Sequence, residues 1–161
     1  MPRQSNNIDP NTLIIGGVAI FGLVVARKIL IQFGLLGGRG AAEVQQQLSN
    51  PNSPWKPQFY KSAPAGSALL RRSTAETYAK IIYDALNWYA DDTAKVNGVF
   101  AALATQSQVS FLSDVFRQSY NADLLSYLQE GSDTFPWNGL ADDELLKITN
   151  LVDRLPQYRV R

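Results

Sequence analysis

Residues 13–36 read LIIGGVAIFGLVVA, then RK, then ILIQFGLL. The run is apolar apart from Arg27, Lys28 and Gln32. A bilayer core about 30 Å thick needs about 20 apolar residues in a helix rising ~1.5 Å each. The uncharged part, residues 13–26, would span roughly 21 Å, and the whole run roughly 36 Å. Crossing therefore requires that Arg27 and Lys28 be tolerated. Mid-bilayer, each would cost about 2.5–3.5 kcal/mol on an insertion scale. Their long apolar stems let them snorkel to a headgroup layer instead. The expected anchor is Leu13, Ile14, Ile15, Val18, Ile20, Phe21, Leu23, Val24 and Val25 in the hydrocarbon, with Arg27 and Lys28 at one interface. Residues 29–36 would continue at the interface or against protein.

Two other readings fit part of this pattern. A cleaved signal peptide would need a basic start and a small-residue cleavage site. Here Arg3 is followed by Asp9-Pro10, and two basic residues follow the apolar core. A buried core helix also suits 10–14 apolar residues. Gly16, Gly17 and Gly22 would each weaken a soluble helix by about 1 kcal/mol relative to Ala. Small residues are easier to place between membrane helices, and Gly22-x-x-x-Ala26 is one such pair. Basic residues crowd the C-terminal flank, with Arg27, Lys28 and Arg39 against Arg3 alone before the run. That predicts the N-terminus outside and the rest of the chain on the cytoplasmic side, or the equivalent side of a membrane inside a virion.

The remaining composition is narrow. The 161 residues include no cysteine and no histidine. Disulfides, thiolate metal sites and His-based nucleophilic catalysis are excluded. Asp84, Asp114 and Glu130 are acids without a partner motif, so no enzyme and no cofactor is expected. Residues 1–73 carry eight Lys/Arg and two Asp/Glu, a net +6, and residues 74–161 carry seven and twelve, a net −5. The basic half suits anionic headgroups at roughly 1 kcal/mol per residue near the surface. The acidic half argues against direct nucleic-acid binding by the C-terminal domain.

The expected organisation is all-α: a tail over 1–12, the anchor over 13–36, a proline-rich extended linker over 37–72, a compact five-helix domain over 73–156 and a tail over 157–161. Pro51, Pro54, Pro57 and Pro64 forbid a continuous helix and favour extended backbone. Within the linker stand Trp55, Pro57, Phe59 and Tyr60. Three large aromatics are unusual in a solvated tether. They predict either a strap docked on a partner protein or bilayer, or a strap packed on its own domain.

From Ser73 the apolar spacing turns helical. Ser73 and Glu76 fit a capping box for a helix over 74–88, with Tyr78, Ile81, Ile82, Ala85 and Leu86 on one face. Asp91-Asp92 opens a second helix carrying Val96, Val99, Phe100 and Leu103. Ser107 caps a third with Phe111, Leu112, Val115 and Phe116. Asn121 opens a fourth over 122–130 with Leu124, Leu125 and Leu128, ended by Gly131. A fifth over 141–155 carries Leu145, Ile148, Leu151 or Val152, and Leu155, and Pro156 stops it.

The order Asp91-Asp92-x-x-x-Val96-x-x-Val99-Phe100, then Thr105-Gln106-Ser107-Gln108, then Phe116-x-x-x-Tyr120-Asn121-Ala122-Asp123-Leu124-x-x-x-Leu128-x-x-Gly131 resembles an annexin repeat over about residues 74–155. Small helical units of this kind are also plausible in bacteriophage structural proteins. The resemblance implies a module for anionic lipid, calcium-dependent in the family. The calcium site of that family needs a glycine-rich loop before its first helix and a distal carboxylate. Glu130 stands at the carboxylate position, but the loop reads Trp88-Tyr89-Ala90-Asp91 without glycine. No metal is therefore expected. Asp142-Asp143-Glu144 reads as an acidic helix start favoured by the macrodipole. The leading functional expectation is a single-pass membrane-anchored structural or adaptor protein with protein partners, such as a virion component. The alternative is the annexin-like lipid-binding module.

Overall fold

A computed structural model describes residues 44, 46–86, 92–131 and 139–159. All lie in the unit Gly38–Arg161. The anchor residues Leu13 to Lys28, the loop at 87–91 and residues 132–138 lie outside the described set. Among the described residues there is no β-strand, and no helix is long and apolar enough to cross a membrane. A helical turn at 46–49 precedes six helices: α1 (Pro57–Lys61), α2 (Arg72–Leu86), α3 (Thr93–Ala101), α4 (Gln106–Tyr120), α5 (Leu124–Glu130) and α6 (Asp142–Arg154).

α4 is the hub. It packs on α1, α2, α5 and α6, while α3 bridges α2 and α6. Its buried residues run from Ser107 to Phe116 and include Val109, Leu112 and Val115. A helix with neighbours on several sides cannot show a single apolar stripe. The core closes with Ile82 and Leu86 of α2, Phe100 of α3, Leu124, Leu125 and Leu128 of α5, and Leu145 and Ile148 of α6.

The helix faces follow the apolar spacing in α3, α5 and α6. Val96, Val99, Phe100 and Leu103 are all buried. In α6 the inward residue of the ambiguous pair is Val152, with Leu151 only half-buried. The α2 face is turned from the expected one. Ala75, Ala79, Ile82, Ala85 and Leu86 are buried, and Tyr78 and Ile81 lie at the margin.

Three helix ends differ from the sequence expectation. α2 begins at Arg72, and the Ala75 N–H donates to the Arg71 carbonyl at 3.0 Å. Ser73 is thus inside the helix, and Glu76 bonds Arg72 Nε at 2.9 Å instead of closing a capping box. α4 is capped by Thr105, whose hydroxyl accepts from the Gln108 N–H at 3.2 Å, not by Ser107. Asn121 ends α4 in the left-handed conformation, φ 52°, and Asp123 caps α5 by accepting from the Ser126 N–H at 3.1 Å. Asn is one of the few side chains that visits this conformation routinely. Asn121→Ala should therefore cost about 1 kcal/mol and Asn121→Gly little, as measured by chemical denaturation.

The first turn of α4 is completed by residues far away in sequence. The N–H groups of Gln106 and Ser107 donate to the carbonyls of Pro156 and Gln157, both at 3.0 Å. The Ser107 hydroxyl donates to the Gln157 carbonyl at 2.8 Å. Ala68 N–H in turn donates to the Arg159 carbonyl at 2.8 Å. The expected tail over 157–161 is thus, at residues 157–159, hydrogen-bonded into the fold. It satisfies helix-end donors that would otherwise be orphaned.

An aromatic stack fastens α2 to α4 and α5. Tyr83 lies parallel to Tyr120 at 4.0 Å and faces Tyr127 at 5.6 Å. Phe116 leans on Tyr120 and Tyr127 at 5.0 and 5.1 Å. The Tyr127 hydroxyl donates to the Tyr83 carbonyl at 3.0 Å.

Candidate functional site

The region with most unusual chemistry is the segment 53–61 where it crosses α4. Proline at 57 starts α1, since its missing N–H is an orphan at the first helical position in any case. The segment is therefore a bend and a short helix, not an extended strap. It is stitched to one polar stripe of α4. Ser113 Oγ donates to the Trp55 carbonyl at 2.7 Å. Ser110 Oγ donates to the Lys56 carbonyl and accepts from the Tyr60 N–H, the latter at 3.0 Å. The Tyr60 hydroxyl donates to Asp114 Oδ2 at 2.9 Å. Arg117 Nη2 donates to Asp114 Oδ1 at 3.4 Å. Asp114 is only 5% exposed, and a buried carboxylate requires such partners.

Trp55 corrects the docking expectation. Its side chain is fully buried, with its ring 5.5 Å from that of Phe100. Pro57 is also buried. The Trp55 ring faces this domain's own core and is not presented to a partner, while Pro57 lines a cleft at the surface. Phe59 and Tyr60 are half-buried, and the Tyr60 ring meets Phe111 edge-on at 5.2 Å. The segment packs on its own domain, the competing reading of the linker. Upstream, Ser53 Oγ donates to Gln47 Oε1 at 2.8 Å, and Gln47 Nε2 reaches Asp153 Oδ1 at 3.4 Å.

Beside the segment opens a cleft of about 600 Å³. Leu48, Pro51 and Pro57 give it apolar walls, and Ser49, Asn52, Lys56, Gln58, Arg117 and Asp123 give it polar ones. Lys56 Nζ lies 3.8 Å from Asp123 Oδ2, a loose ion pair about a quarter exposed. Arg117 is about half exposed and touches Asp114 with one nitrogen. Nearby, Arg72 Nη2 donates to Gln118 Oε1 at 3.1 Å, and Lys61 Nζ lies 5.6 Å from the Tyr60 ring centroid. From Val44 to Arg72 the chain carries Lys56, Lys61, Arg71 and Arg72 and no Asp or Glu.

Burial, and then the bond given to Asp114, hold the Tyr60 phenol above the ordinary tyrosine value. Burial also raises Tyr120 and, strongly, Tyr127. The folded chain therefore holds these protons more tightly than the unfolded chain. The corresponding stability is complete below about pH 10, where an unfolded tyrosine titrates, and is lost as pH climbs through the folded values. A denaturation midpoint that falls above pH 10, with phenolate absorbance lagging that of the unfolded chain, is the expected result. Tyr60→Phe should cost about 1–3 kcal/mol, because it deprives the buried Asp114 of its donor.

No metal-binding cluster of three or more acidic residues occurs among the described residues. Glu130 ends α5, and Asp142, Asp143 and Glu144 form the first turn of α6, with Asp143 paired to Lys147 at 3.0 Å. The loop expected to supply the other half of a calcium site lies outside the described residues. Sequence reasoning missed the stripe Ser110, Ser113 and Asp114. Its signal is the spacing i, i+3, i+4 of short polar residues inside a helix whose other faces are apolar. No family model, curated protein or solved structure matches the chain.

Proposed function

We propose that this chain is a single-pass, membrane-anchored structural or adaptor protein that links a bilayer to a protein layer, as in a virion or another membrane-associated assembly. The observation that carries the reading is the apolar run over residues 13–36, with fourteen uncharged residues followed at once by Arg27 and Lys28. The helical domain behind it fits an adaptor because its chemistry is spent on holding itself together. Ser110, Ser113, Asp114 and Tyr60 bond one another's elements. The resemblance to an annexin repeat agrees with a role beside anionic lipid. Alkaline carbonate extraction of membranes tests the proposal. The full chain should stay in the pellet, and protease added from the side of the C-terminal domain should remove that domain. Release into the supernatant would overturn it. Crosslinking in the intact assembly would then identify the neighbouring protein layer.

A further inference from the structure

We infer that the cleft beside residues 51–58 is a binding site for a phosphate group, and that a lipid headgroup supplies it. The inference rests in part on the membrane-anchored reading above.

Two cations converge on the cleft from different elements, Lys56 from the segment before α1 and Arg117 from α4. Neither is saturated by the carboxylate it touches. Lys56 stands 3.8 Å from Asp123, longer than a hydrogen bond, and Asp123 already spends its Oδ1 on the Ser126 N–H at the start of α5. Arg117 offers one nitrogen to Asp114 at 3.4 Å, and among the described residues the rest of its donor fork is open to another oxyanion. A phosphate offers the short, charge-assisted bonds that both lack. The cleft has the size of small-molecule sites, and Leu48, Pro51 and Pro57 give an apolar wall for the glycerol side of a headgroup. The source follows from charge. Every formal charge between Val44 and Arg72 is positive, which suits an anionic leaflet.

The test uses the full chain in nanodiscs of phosphatidylcholine alone or with phosphatidylglycerol, read by hydrogen exchange of the peptides covering residues 51–58. Occupancy at a local headgroup concentration ten times the dissociation constant should slow exchange about tenfold with phosphatidylglycerol. The slowing should vanish in Lys56→Gln with Arg117→Gln and weaken in Lys56→Gln alone, which leaves the Asp114–Arg117 contact in place. It should persist in Lys80→Gln with Lys147→Gln, whose partners are Asp84 and Asp143. Exchange in the parent that equals that of Lys56→Gln with Arg117→Gln in both disc types, or slowing that survives loss of Lys56 and Arg117, overturns the site. Slowing of the parent that is equal in both disc types overturns the preference for an anionic headgroup. The same slowing from millimolar inorganic phosphate in phosphatidylcholine discs would keep the phosphate chemistry and overturn the lipid source. A chain that does not enter discs fails the anchoring reading instead. Co-sedimentation with phosphatidylglycerol vesicles then decides the cleft, since binding must again require Lys56 and Arg117.

Discussion

Trp55→Ala should destabilise the domain by about 3–5 kcal/mol, the range for emptying a large aromatic from a packed core. The ring is fully buried, with its centroid 5.5 Å from that of Phe100 in α3. The backbone would suffer too. The carbonyl of residue 55 takes the Ser113 hydroxyl, so a collapsing segment strands that buried donor as well. One feature opposes the loss. The Trp55 indole N–H is buried without a partner among the described residues. Trp55→Phe removes that unpaired donor while keeping most of the apolar bulk, and should cost far less than alanine. Chemical denaturation of the three proteins checks the order. A Trp55→Ala protein as stable as the parent would mean that the side chain is not an internal anchor.

Gly139→Ala is expected to cost about 3 kcal/mol, the upper end for forcing atoms into a filled space. A methyl placed there would collide with the Gln129 carbonyl oxygen and lie 2.8 Å from the Glu130 nitrogen. Those atoms are backbone at the end of α5, so no side chain can swing aside. The close approach exists because the Leu140 N–H donates to the Leu128 carbonyl at 2.7 Å, tying the entry to α6 onto the last turn of α5. The variant must give up that bond or shift the helix. Gly98→Ala is the matched control, because nothing lies within 4 Å of the added methyl and alanine favours the helix. A lower midpoint for Gly139→Ala beside an equal or higher one for Gly98→Ala is the expected pair of results.

The helices were legible wherever burial follows local spacing. Val96, Val99 and Phe100 are three and one apart and all face inward, as a helix with one covered side requires. Reading failed where the environment is supplied from far along the chain. In Thr105-Gln106-Ser107-Gln108 two hydroxyls compete for one cap, and Thr105 takes it while the Ser107 hydroxyl donates to the Gln157 carbonyl. Asn121 suits the end of one helix and the start of the next, and only its left-handed backbone decides between them. The serine stripe of α4 has the pattern of a solvated face. It is buried because residues 55–60 bring their own backbone groups to meet it. The prolines around Trp55 were readable as a bar to a long helix, but not as a device for placing a short one. The candidate cleft was least legible of all, since Lys56 and Arg117 are sixty-one positions apart.

The carbonyls of Pro156 and Gln157 that meet the first amides of α4 also impose an order on the protein's birth. The hub helix emerges from the ribosome about fifty residues before the atoms that finish its first turn. Until then its leading amides must be served by water. A nascent chain stalled at residue 155 should therefore be cut by protease within residues 104–108, and one extended by a linker beyond residue 159 should not. The same dependence makes these last residues a poor place to truncate, although they look like a tail.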